Sequence, residues 1–266
     1  MTDRYAVIGN PIAHSKSPRI HALFAAASGQ DMTYEALLAP LGGFAATARG
    51  FAATGGRGAN VTVPFKEEAF RLATRLTGRA RAAGAVNTLV FSDNEILGDN
   101  TDGAGLVRDL TVNLAVAIGG KRVLLLGAGG AARGVILPLL AECPAELLIA
   151  NRTAEKAHTL ARLFSGSTAC SLAKLAGREF DLVINATSAG LTESALPRLS
   201  FTYAPNALAY DMVYGKNTDF LRQARAPGAR AADGLGMLVE QAAEAFLLWR
   251  GIRPETMTVL TALRGT

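Results

Sequence analysis

The sequence predicts an α/β protein of two domains, and three observations support this prediction. Short strand-like segments alternate with helix-like segments along most of the chain, as in a largely parallel sheet with helices on both faces. The strands that follow Lys121 are almost entirely apolar, which indicates that both faces of their sheet are buried. A length of 266 residues, with 50% hydrophobic and 18% charged residues, supplies enough apolar material for two ordinary domains.

The first block of elements fills about the first hundred residues. Strands are predicted in YAVIG, TYEALLAP and GANVTV, and helices in SPRIHALFAAAS and KEEAFRLATRL. Two further strands, AVNTLVF and EILGDN, are joined by a predicted turn at Ser92-Asp93-Asn94. We assign residues 1–102 to this mainly parallel α/β domain.

The second block begins after Gly119-Gly120-Lys121. It opens with the strand RVLLLGAGG and a helix to about Ala141, and its later strands lie in ELLIANR, DLVINATSAG and LAYDMVY. This order is typical of a doubly wound, Rossmann-type sheet, which we assign to residues 103–235. Residues 236–266 contain GMLVEQAAEAFLLWRG, whose apolar residues have helical spacing, and we expect these helices to pack back on the first domain.

The composition excludes several classes of protein. The longest apolar stretch is interrupted by Arg133 and Pro138, and no signal-like segment opens the chain, so we expect neither membrane insertion nor secretion. Cys143 and Cys170 are isolated, which favours a reducing compartment, and we predict a cytoplasmic protein. The formal net charge is +5, but the chain has no nucleic-acid reading motif, so we predict no nucleic-acid partner.

Three arginines could form a basic stripe. Arg71, Arg75 and Arg79 are spaced by four residues and would share one face if the helix that begins near Lys66 continued that far. We interpret the stripe as a solvated face, with Glu67 placed to pair with Arg71. The net positive charge still allows a general attraction for small molecules that carry phosphate groups.

The histidines and acidic turns do not have the spacing of metal ligands. His14 and His21 are seven residues apart with no cysteine or acid beside them, which is not the ligand set that zinc requires. GDNTDG has acids at a turn without the spacing of a calcium loop. We predict no metal site.

A glycine-rich turn follows the first strand of the second domain. In LLLGAGGAARG, Gly127, Gly129 and Ala132 form a G-x-G-x-x-A pattern between a buried strand and a helix. The first glycine allows a tight turn, the second lets the backbone approach a pyrophosphate, and the small third residue permits close packing of helix and strand. Free backbone N–H groups at the helix start would face the anion. The pattern therefore predicts a dinucleotide site.

The end of the next strand indicates which dinucleotide is bound. At this point an NAD enzyme usually carries an acid for the ribose 2'-hydroxyl, but Asn151, which is 24 residues after Gly127, is not an acid. Arg152 and Lys156 instead supply cations for a 2'-phosphate. Two ordinary surface cations are a weaker interpretation, because positive charge at a helix start opposes the helix dipole. We predict NADP(H).

Four polar residues in the first domain have structural interpretations that compete with a chemical role. Ser15 and Ser17 lie just after the first strand and could bind one carboxylate, or Ser17, which precedes Pro18, could simply cap a helix. Lys66 at a helix start is either a solvated charge or a chemically active group. Asp102 could cap a helix that begins near Gly103.

The motifs together resemble the shikimate dehydrogenase family, in the same order and over essentially the whole chain. They are GNPIAHSKSP, GANVTVPFKEEAF, GAVNTL, GDNTDG, GAGGAARG, NRT, INATSAG, YDMVY and ADGLGMLVEQAAEAFLLW. The resemblance implies NADPH-dependent, reversible reduction of 3-dehydroshikimate to shikimate, on the route to chorismate and the aromatic amino acids. It also implies that the first domain binds the substrate, and that the protein is a monomer or a homodimer.

The resemblance also implies the roles of individual residues. Lys66 and Asp102 match the family's catalytic pair. The implied substrate-binding residues are Ser15, Ser17, Thr62, Asn87, Asp102, Tyr214 and Gln241. The implied cofactor-binding residues are Gly127, Ala128, Gly129, Gly130, Ala131, Asn151, Arg152, Thr153, Lys156, Met212 and Gly234.

The sequence departs from the family pattern at two positions. Lys156 stands where many bacterial members have an arginine, which keeps the charge but loses the planar fork, so discrimination against NAD is expected to be weaker. Gly78 stands where some relatives have a glutamate near the cofactor, and we assign it no role.

Three other functions remain as alternatives. The nearest is a broader quinate/shikimate dehydrogenase that uses NAD or NADP. A non-catalytic sensor of the same fold would be expected to lack Lys66 or Asp102, and both are present. A different two-domain Rossmann dehydrogenase would match the glycine loop without the serine pair.

Overall fold

The computed structural model describes residues 2–93, 95–187 and 199–265. The chain forms two compact units, of which unit 1 comprises Met1–Gly105 and Val239–Thr266, and unit 2 comprises Leu106–Leu238. Each unit is built on a six-stranded sheet, and the C-terminal segment belongs to the same unit as the N-terminal one. The predicted α/β fold class is therefore confirmed. In the described part of the chain, no helix combines the length and apolar character needed to cross a membrane.

Unit 1 contains a mixed sheet with the strand order β2-β1-β3-β5-β6-β4. In this sheet β5 runs antiparallel to both of its neighbours, β3 and β6, and the other described pairs are parallel. The strands are β1 Asp3–Gly9, β2 Met32–Leu38, β3 Gly56–Val61, β4 Arg75–Leu76, β5 Thr88–Ser92 and β6 Glu95–Asp99. The helices are α1 Ser17–Ser28, α2 Phe44–Ala53, α3 Lys66–Leu72, α4 Gly78–Ala83 and α10 Met257–Arg264, while α5 Asp102–Arg108 and α9 Leu235–Arg250 extend into unit 2.

Strand β1 is the point where the strand order of unit 1 reverses. It pairs in parallel with β2 on one side and with β3 on the other. In open α/β sheets, ligands bind beyond the carboxyl ends of the strands at such a switch point. Ser15 lies in the loop after β1 and Ser17 begins the helix that follows, so the fold puts both hydroxyls where a ligand is expected.

The predicted helix that begins at Lys66 is shorter than its sequence pattern suggests. Helix α3 ends at Leu72, where Ala73 turns to an extended conformation with φ −63° and ψ 130°. The next residues pair with β6, as the Thr74 N–H donates to the Ile96 carbonyl at 2.9 Å and the Thr77 N–H to the Gly98 carbonyl at 3.0 Å. Strand pairing thus replaces the helical hydrogen bonds.

The predicted basic stripe is consequently wrong. Arg71 lies in α3, Arg75 in β4 and Arg79 in α4, so the three side chains do not share a helix face. Arg75 pairs with Glu95 at 2.8 Å, and Arg79 binds Asp99 at 2.7 Å.

Unit 2 contains a fully parallel sheet with the strand order β12-β11-β10-β7-β8-β9. Its strands are β7 Arg122–Leu126, β8 Glu146–Asn151, β9 Ser167–Ser171, β10 Glu179–Asn185, β11 Thr202–Asp211 and β12 Arg230–Asp233. Its helices are α6 Gly130–Ala141, α7 Ala154–Leu163 and α8 Asp219–Arg225, with a π-helical turn Asp109–Asn113 and a 3-10 turn Leu172–Leu175. The order reverses between β7 and β10, which is the Rossmann arrangement.

Parts of two predicted features lie outside the described residues. These are Ser188, Ala189 and Gly190 at the end of INATSAG, and Asn94 in the turn between β5 and β6.

His21 on α1 is completely buried in an aromatic cluster of unit 1. Its ring stacks on Tyr34 with centroids 4.1 Å apart, and Trp249 lies 5.4 Å away. Among the described residues, neither ring nitrogen has a hydrogen-bond partner. Burial lowers the pKa of His21 to about 3, while a weaker effect of the Asn60 side chain opposes the shift. The folded protein therefore holds this imidazole neutral.

We expect His21 to make the protein less stable in acid. Unfolding restores the ordinary pKa of 6.5, so the stability that is present above pH 6.5 is lost as the pH falls toward the folded value of about 3. Between pH 6.5 and 4.5 the loss would be up to about 3 kcal/mol. Urea unfolding of the His21→Phe variant should show a shallower pH dependence than the wild type. The variant of the exposed His158, His158→Phe, should keep the wild-type slope; equal slopes for all three proteins would contradict this expectation.

Candidate active site

Lys66 lies at the start of α3, directly after Val63-Pro64-Phe65. Phe65 is fully buried and stacks on Phe44 with centroids 5.3 Å apart, which anchors the start of this helix in the core of unit 1. The Lys66 Nζ donates a hydrogen bond to Asp102 Oδ2 at 2.6 Å. The Lys66 side chain is 32% exposed and that of Asp102 12%, so the amine can reach a ligand while its carboxylate partner stays shielded from solvent.

Asp102 is the first residue of α5 and does not act as the helix cap. Its backbone N–H donates to Asn100 Oδ1 at 3.2 Å, which forms an Asx turn just before the helix. Asp102 Oδ1 accepts from Asn87 Nδ2 at 2.8 Å, while Oδ2 accepts from Lys66. Both carboxylate oxygens are thus committed to side chains of the predicted site.

Asn87 and Gln241 complete this cluster. Gln241 lies in the part of α9 that belongs to unit 1, and its Oε1 accepts from Asn87 Nδ2 at 3.3 Å and from Thr101 Oγ1 at 3.4 Å. Unit 1 therefore brings together four of the predicted site residues: Lys66, Asn87, Asp102 and Gln241.

Three buried polar residues that the sequence interpretation missed support the cluster. They are Asn60, Thr88 and Thr101, which are 6%, 0% and 0% exposed. Asn60 Nδ2 donates to the Asn87 carbonyl at 3.2 Å, and the Thr101 N–H donates to Asn87 Oδ1 at 2.8 Å. Their sequence signal is a polar residue within a strand or at its end, because burial of such a residue requires hydrogen-bond partners.

Ser15 and Ser17 lie together at the start of α1. Ser17 is buried, and its backbone N–H donates to Ser15 Oγ at 3.2 Å. The hypothesis that Ser17 caps α1 is wrong, because Ser17 is the first helical residue and Lys16 occupies the capping position.

Thr62 follows β3 and is held beside β1. Its backbone N–H donates to the Ile8 carbonyl at 3.0 Å. Gly9 packs directly against this side chain, since a Cβ atom at Gly9 would lie 2.5 Å from Thr62 Cγ2. The absence of a side chain at position 9 therefore makes room for the Thr62 methyl group.

The glycine turn of unit 2 joins β7 to α6. Gly127 has φ +111°, a conformation that favours glycine, and a Cβ there would lie 3.0 Å from the Ala186 carbonyl oxygen. Gly129 precedes α6 and Gly130 begins it, and a Cβ on either would meet nothing within 4 Å. Among the described residues no side chain caps this 12-residue helix, so its first backbone N–H groups remain available to an anion near Ala128 and Ala131.

Two cations follow the end of β8, and the acid nearest to them in the chain already has a partner. Asn151 ends the strand and donates from Nδ2 to the Thr153 carbonyl at 3.0 Å. Just after this strand end lie Arg152, Thr153 and Lys156. Neither Arg152 nor Lys156 forms an ion pair with the described part of the chain. Glu155, in the first turn of α7, pairs with Arg162 at 3.0 Å. The remaining donor set fits a 2'-phosphate.

Met212 and Gly234 lie side by side at the carboxyl ends of β11 and β12. A Cβ at Gly234 would lie 2.3 Å from the Met212 carbonyl oxygen, so only glycine permits this approach. Tyr214 lies two residues after Met212, and partial burial raises the pKa of its phenol. These residues belong to unit 2, and the substrate contact predicted for Tyr214 stays a prediction.

Three family models and several curated relatives match this chain. Family models described as shikimate dehydrogenase substrate binding domain, shikimate/quinate 5-dehydrogenase and shikimate 5'-dehydrogenase C-terminal domain match residues 7–89, 110–198 and 234–264. The shikimate dehydrogenase (NADP(+)) of Dechloromonas aromatica is 64% identical, with 100% of this chain and 98% of the relative covered. The enzyme of the same name from Nitrosospira multiformis is 62% identical, with 100% of this chain and 98% of the relative covered.

A solved structure extends the comparison to the fold. The crystal structure of shikimate 5-dehydrogenase from Thermus thermophilus, in complex with NADP(H) and shikimate, superposes with a TM-score of 0.88. It is 35% identical and the match covers 99% of both chains. The full-length identity to the curated relatives confirms the prediction from the motifs: this chain belongs to the shikimate dehydrogenase family.

Proposed function

We propose that this protein catalyses the reversible, NADPH-dependent reduction of 3-dehydroshikimate to shikimate. The observation that supports this reaction most directly is the 2.6 Å hydrogen bond between Lys66 Nζ and Asp102, in a cluster that also contains Asn87 and Gln241. This pair supplies the proton that reduction of a ketone requires. The names of the curated relatives favour shikimate and NADP over the broader quinate alternative.

Lys66 is proposed as the general acid. Bound NADPH would supply the hydride to the C3 carbonyl of the substrate. As hydride addition builds negative charge on the carbonyl oxygen, the Lys66 ammonium stabilises that charge and donates a proton from Nζ. In the oxidation of shikimate, the neutral Nζ accepts the proton of the C3 hydroxyl.

Asp102 is proposed to orient Lys66. One carboxylate oxygen holds the amine while the other is held by Asn87, so the direction of the Nζ atom is determined from two sides.

The remaining substrate contacts are proposed from the family motifs. Ser15 and Ser17 would bind the substrate carboxylate, and two hydroxyls with a hydrogen bond between their residues suit this task. Thr62, Asn87, Asp102 and Gln241 would bind the ring hydroxyls. Tyr214 would close over the substrate.

The cofactor contacts are proposed for the carboxyl ends of the strands of unit 2. The backbone of Gly127, Ala128, Gly129, Gly130 and Ala131 would hold the pyrophosphate, because α6 begins there without a side-chain cap among the described residues. Asn151, Arg152, Thr153 and Lys156 would bind the adenosine end and its 2'-phosphate. Met212 and Gly234 would contact the nicotinamide end.

A spectrophotometric assay tests the proposed reaction. NADPH absorbance should fall when 3-dehydroshikimate is added to the purified protein, and no turnover would exclude this function. Parallel assays with quinate and with NADH measure how far the protein resembles the broader quinate/shikimate enzymes. A kcat/KM with NADPH that does not exceed that with NADH would contradict the cofactor assignment.

The proposed setting is the cytoplasm, with the protein acting as a monomer or a homodimer. The support is the pair of isolated cysteines, which are both free thiols: Cys143 is exposed and Cys170 is buried. The proposed partners are the small-molecule substrate and the cofactor, with no nucleic acid or membrane.

Removal of both serine hydroxyls should weaken substrate binding. In the Ser15→Ala/Ser17→Ala variant, we expect the KM for 3-dehydroshikimate to rise roughly tenfold to a hundredfold, because two hydrogen bonds to a charged carboxylate are lost. The kcat at saturating substrate should change less. Ser165 and Ser167 have the same spacing in unit 2, so Ser165→Ala/Ser167→Ala is the matched control. A KM equal to that of the control would remove the serine pair from the substrate site.

A further inference from the structure

A series of hydrogen bonds leads through unit 1 to Asp102. The Tyr34 hydroxyl donates to Asn60 Oδ1 at 2.7 Å. Asn60 Nδ2 donates to Thr88 Oγ1 at 3.1 Å, and Thr88 Oγ1 donates to Asn87 Oδ1 at 2.9 Å. Asn87 Nδ2 then donates to Asp102 Oδ1 at 2.8 Å. The series connects the aromatic cluster around His21 with the proposed catalytic pair.

Two backbone groups determine which side-chain atoms donate and which accept along this series of hydrogen bonds. The Asn87 carbonyl can only accept, and it receives hydrogen bonds from Val61 N–H at 2.8 Å and Asn60 Nδ2 at 3.2 Å. Asn60 must therefore present its NH₂ group to this side. The Thr101 N–H can only donate, and it lies 2.8 Å from Asn87 Oδ1. Asn87 must therefore present its oxygen to Thr101 and its NH₂ group to Asp102.

Thr88 lies between these two amides, and its hydroxyl has one favourable orientation. It accepts from the Asn60 NH₂ group, so its own proton is free to point to Asn87 Oδ1. The other nearby oxygen, Thr101 Oγ1, is farther away at 3.4 Å. Since Thr88 is 0% exposed, no solvent competes for this proton.

We propose that Thr88 is a positioning residue for the reaction: its hydroxyl holds the Asn87 amide so that Asn87 secures Asp102, which in turn aligns Lys66. This inference rests on the proposed function, because it assigns Thr88 an effect through the Lys66 and Asp102 pair. Thr88 itself touches neither of these two side chains by a hydrogen bond in the described structure.

Replacement of Thr88 by valine removes the hydroxyl and keeps the shape of the side chain. Asn87 Oδ1 then loses one of its two shortest donors, and Asn60 Nδ2 loses one of its two acceptors. A looser Asn87 would allow Asp102 and Lys66 to leave the alignment that proton transfer requires. Because the defect concerns the alignment of the catalytic pair, it should lower kcat more than it raises KM.

The experiment compares three variants of the full-length protein. Thr88→Val should lower kcat about three- to tenfold, with less than about a twofold change in KM, which corresponds to partial loss of one buried hydrogen bond. Thr88→Ser keeps the hydroxyl and should retain a kcat close to that of the wild type. Thr47→Val is the matched control, since the Thr47 hydroxyl bonds the Gly43 carbonyl next to helix α2, away from this series.

The kinetic isotope effect separates alignment from general loss of structure. With NADPH deuterated at the transferring position, the primary isotope effect on kcat should rise in Thr88→Val, because the chemical step becomes more rate-limiting. A fraction of misfolded protein would lower kcat and leave the isotope effect unchanged. Thermal unfolding of each variant establishes that the active fraction is folded.

A double-mutant cycle tests the longer connection. Tyr34→Phe removes the first donor of the series and should lower kcat about two- to threefold. Because both hydroxyls act through Asn87, the double variant Tyr34→Phe/Thr88→Val should be little worse than Thr88→Val alone.

Three results would overturn the proposal. In the first, the kcat and the isotope effect of Thr88→Val match those of Thr47→Val. In the second, Thr88→Val and Thr88→Ser lower kcat equally. In the third, the effects of Tyr34→Phe and Thr88→Val on the free energy of activation are fully additive. Failure of the proposed function is a different outcome, since the wild type itself would then show no turnover of 3-dehydroshikimate.

Discussion

The Lys66→Ala variant is expected to lower kcat by roughly a hundredfold or more, the usual scale for a positioned acid or base. The variant removes the only charged donor that contacts Asp102 among the described residues, so no neighbouring group can take over proton delivery at that position. Substrate binding should remain largely intact, because the carboxylate and the ring hydroxyls are proposed to bind other side chains. Steady-state kinetics with saturating NADPH measure the effect.

Lys174→Ala is the control for this prediction. Lys174 is an exposed lysine in the 3-10 turn of unit 2, so its replacement removes the same charge without touching the site. If Lys66→Ala and Lys174→Ala give the same kcat, Lys66 takes no part in the chemistry. If Lys66→Ala raises KM and leaves kcat unchanged, Lys66 contributes binding alone.

The Arg152→Ala variant is expected to lower kcat/KM for NADPH by roughly tenfold to a hundredfold and to leave kcat/KM for NADH nearly unchanged. Charge-assisted hydrogen bonds from a guanidinium to a phosphate contribute about 1.5–3 kcal/mol. NADH has no 2'-phosphate and therefore loses nothing comparable. Lys156 remains in the variant as a point charge, so some preference for NADPH should persist.

The control for cofactor choice lies on the neighbouring helix. Arg162 is an exposed arginine of α7 that already pairs with Glu155 at 3.0 Å, so Arg162→Ala should change neither constant. A ratio of the two kcat/KM values that is equal in Arg152→Ala and in the wild type would contradict the assignment of Arg152 to the 2'-phosphate.

The sequence predicted most of the fold because its strands carry strong signals. The buried parallel strands of unit 2 are nearly continuous apolar runs, and the glycine turn after β7 stands between one of them and a helix. The short strands β4, β9 and β12 were missed. In β4, Arg75 and Leu76 stand in a run of good helix formers, and only pairing with β6 reveals them as a strand.

The site residues that belong to recognisable motifs could be predicted from the sequence, but the buried polar residues that support them could not. Lys66 and Asp102 belong to recognisable segments, but the sequence does not show that Asp102 begins α5 and that its two carboxylate oxygens accept from Lys66 and Asn87. Asn60 and Thr88 also escaped notice. Their contribution depends on partners distant in the chain, and no local pattern reports such pairings.

The contact between Gly9 and Thr62 links the substitutions that these two positions can accept. A Gly9→Ala change would place the new Cβ 2.5 Å from Thr62 Cγ2, which is too close for any real pair of carbon atoms. The other close atom, Ile12 Cδ1 at 2.9 Å, is the end of a flexible side chain and can move. A Thr62→Ser change would keep the hydroxyl and remove the obstructing methyl group. The double change Gly9→Ala/Thr62→Ser is therefore better tolerated than Gly9→Ala alone, and substitutions at the two positions should be correlated during divergence.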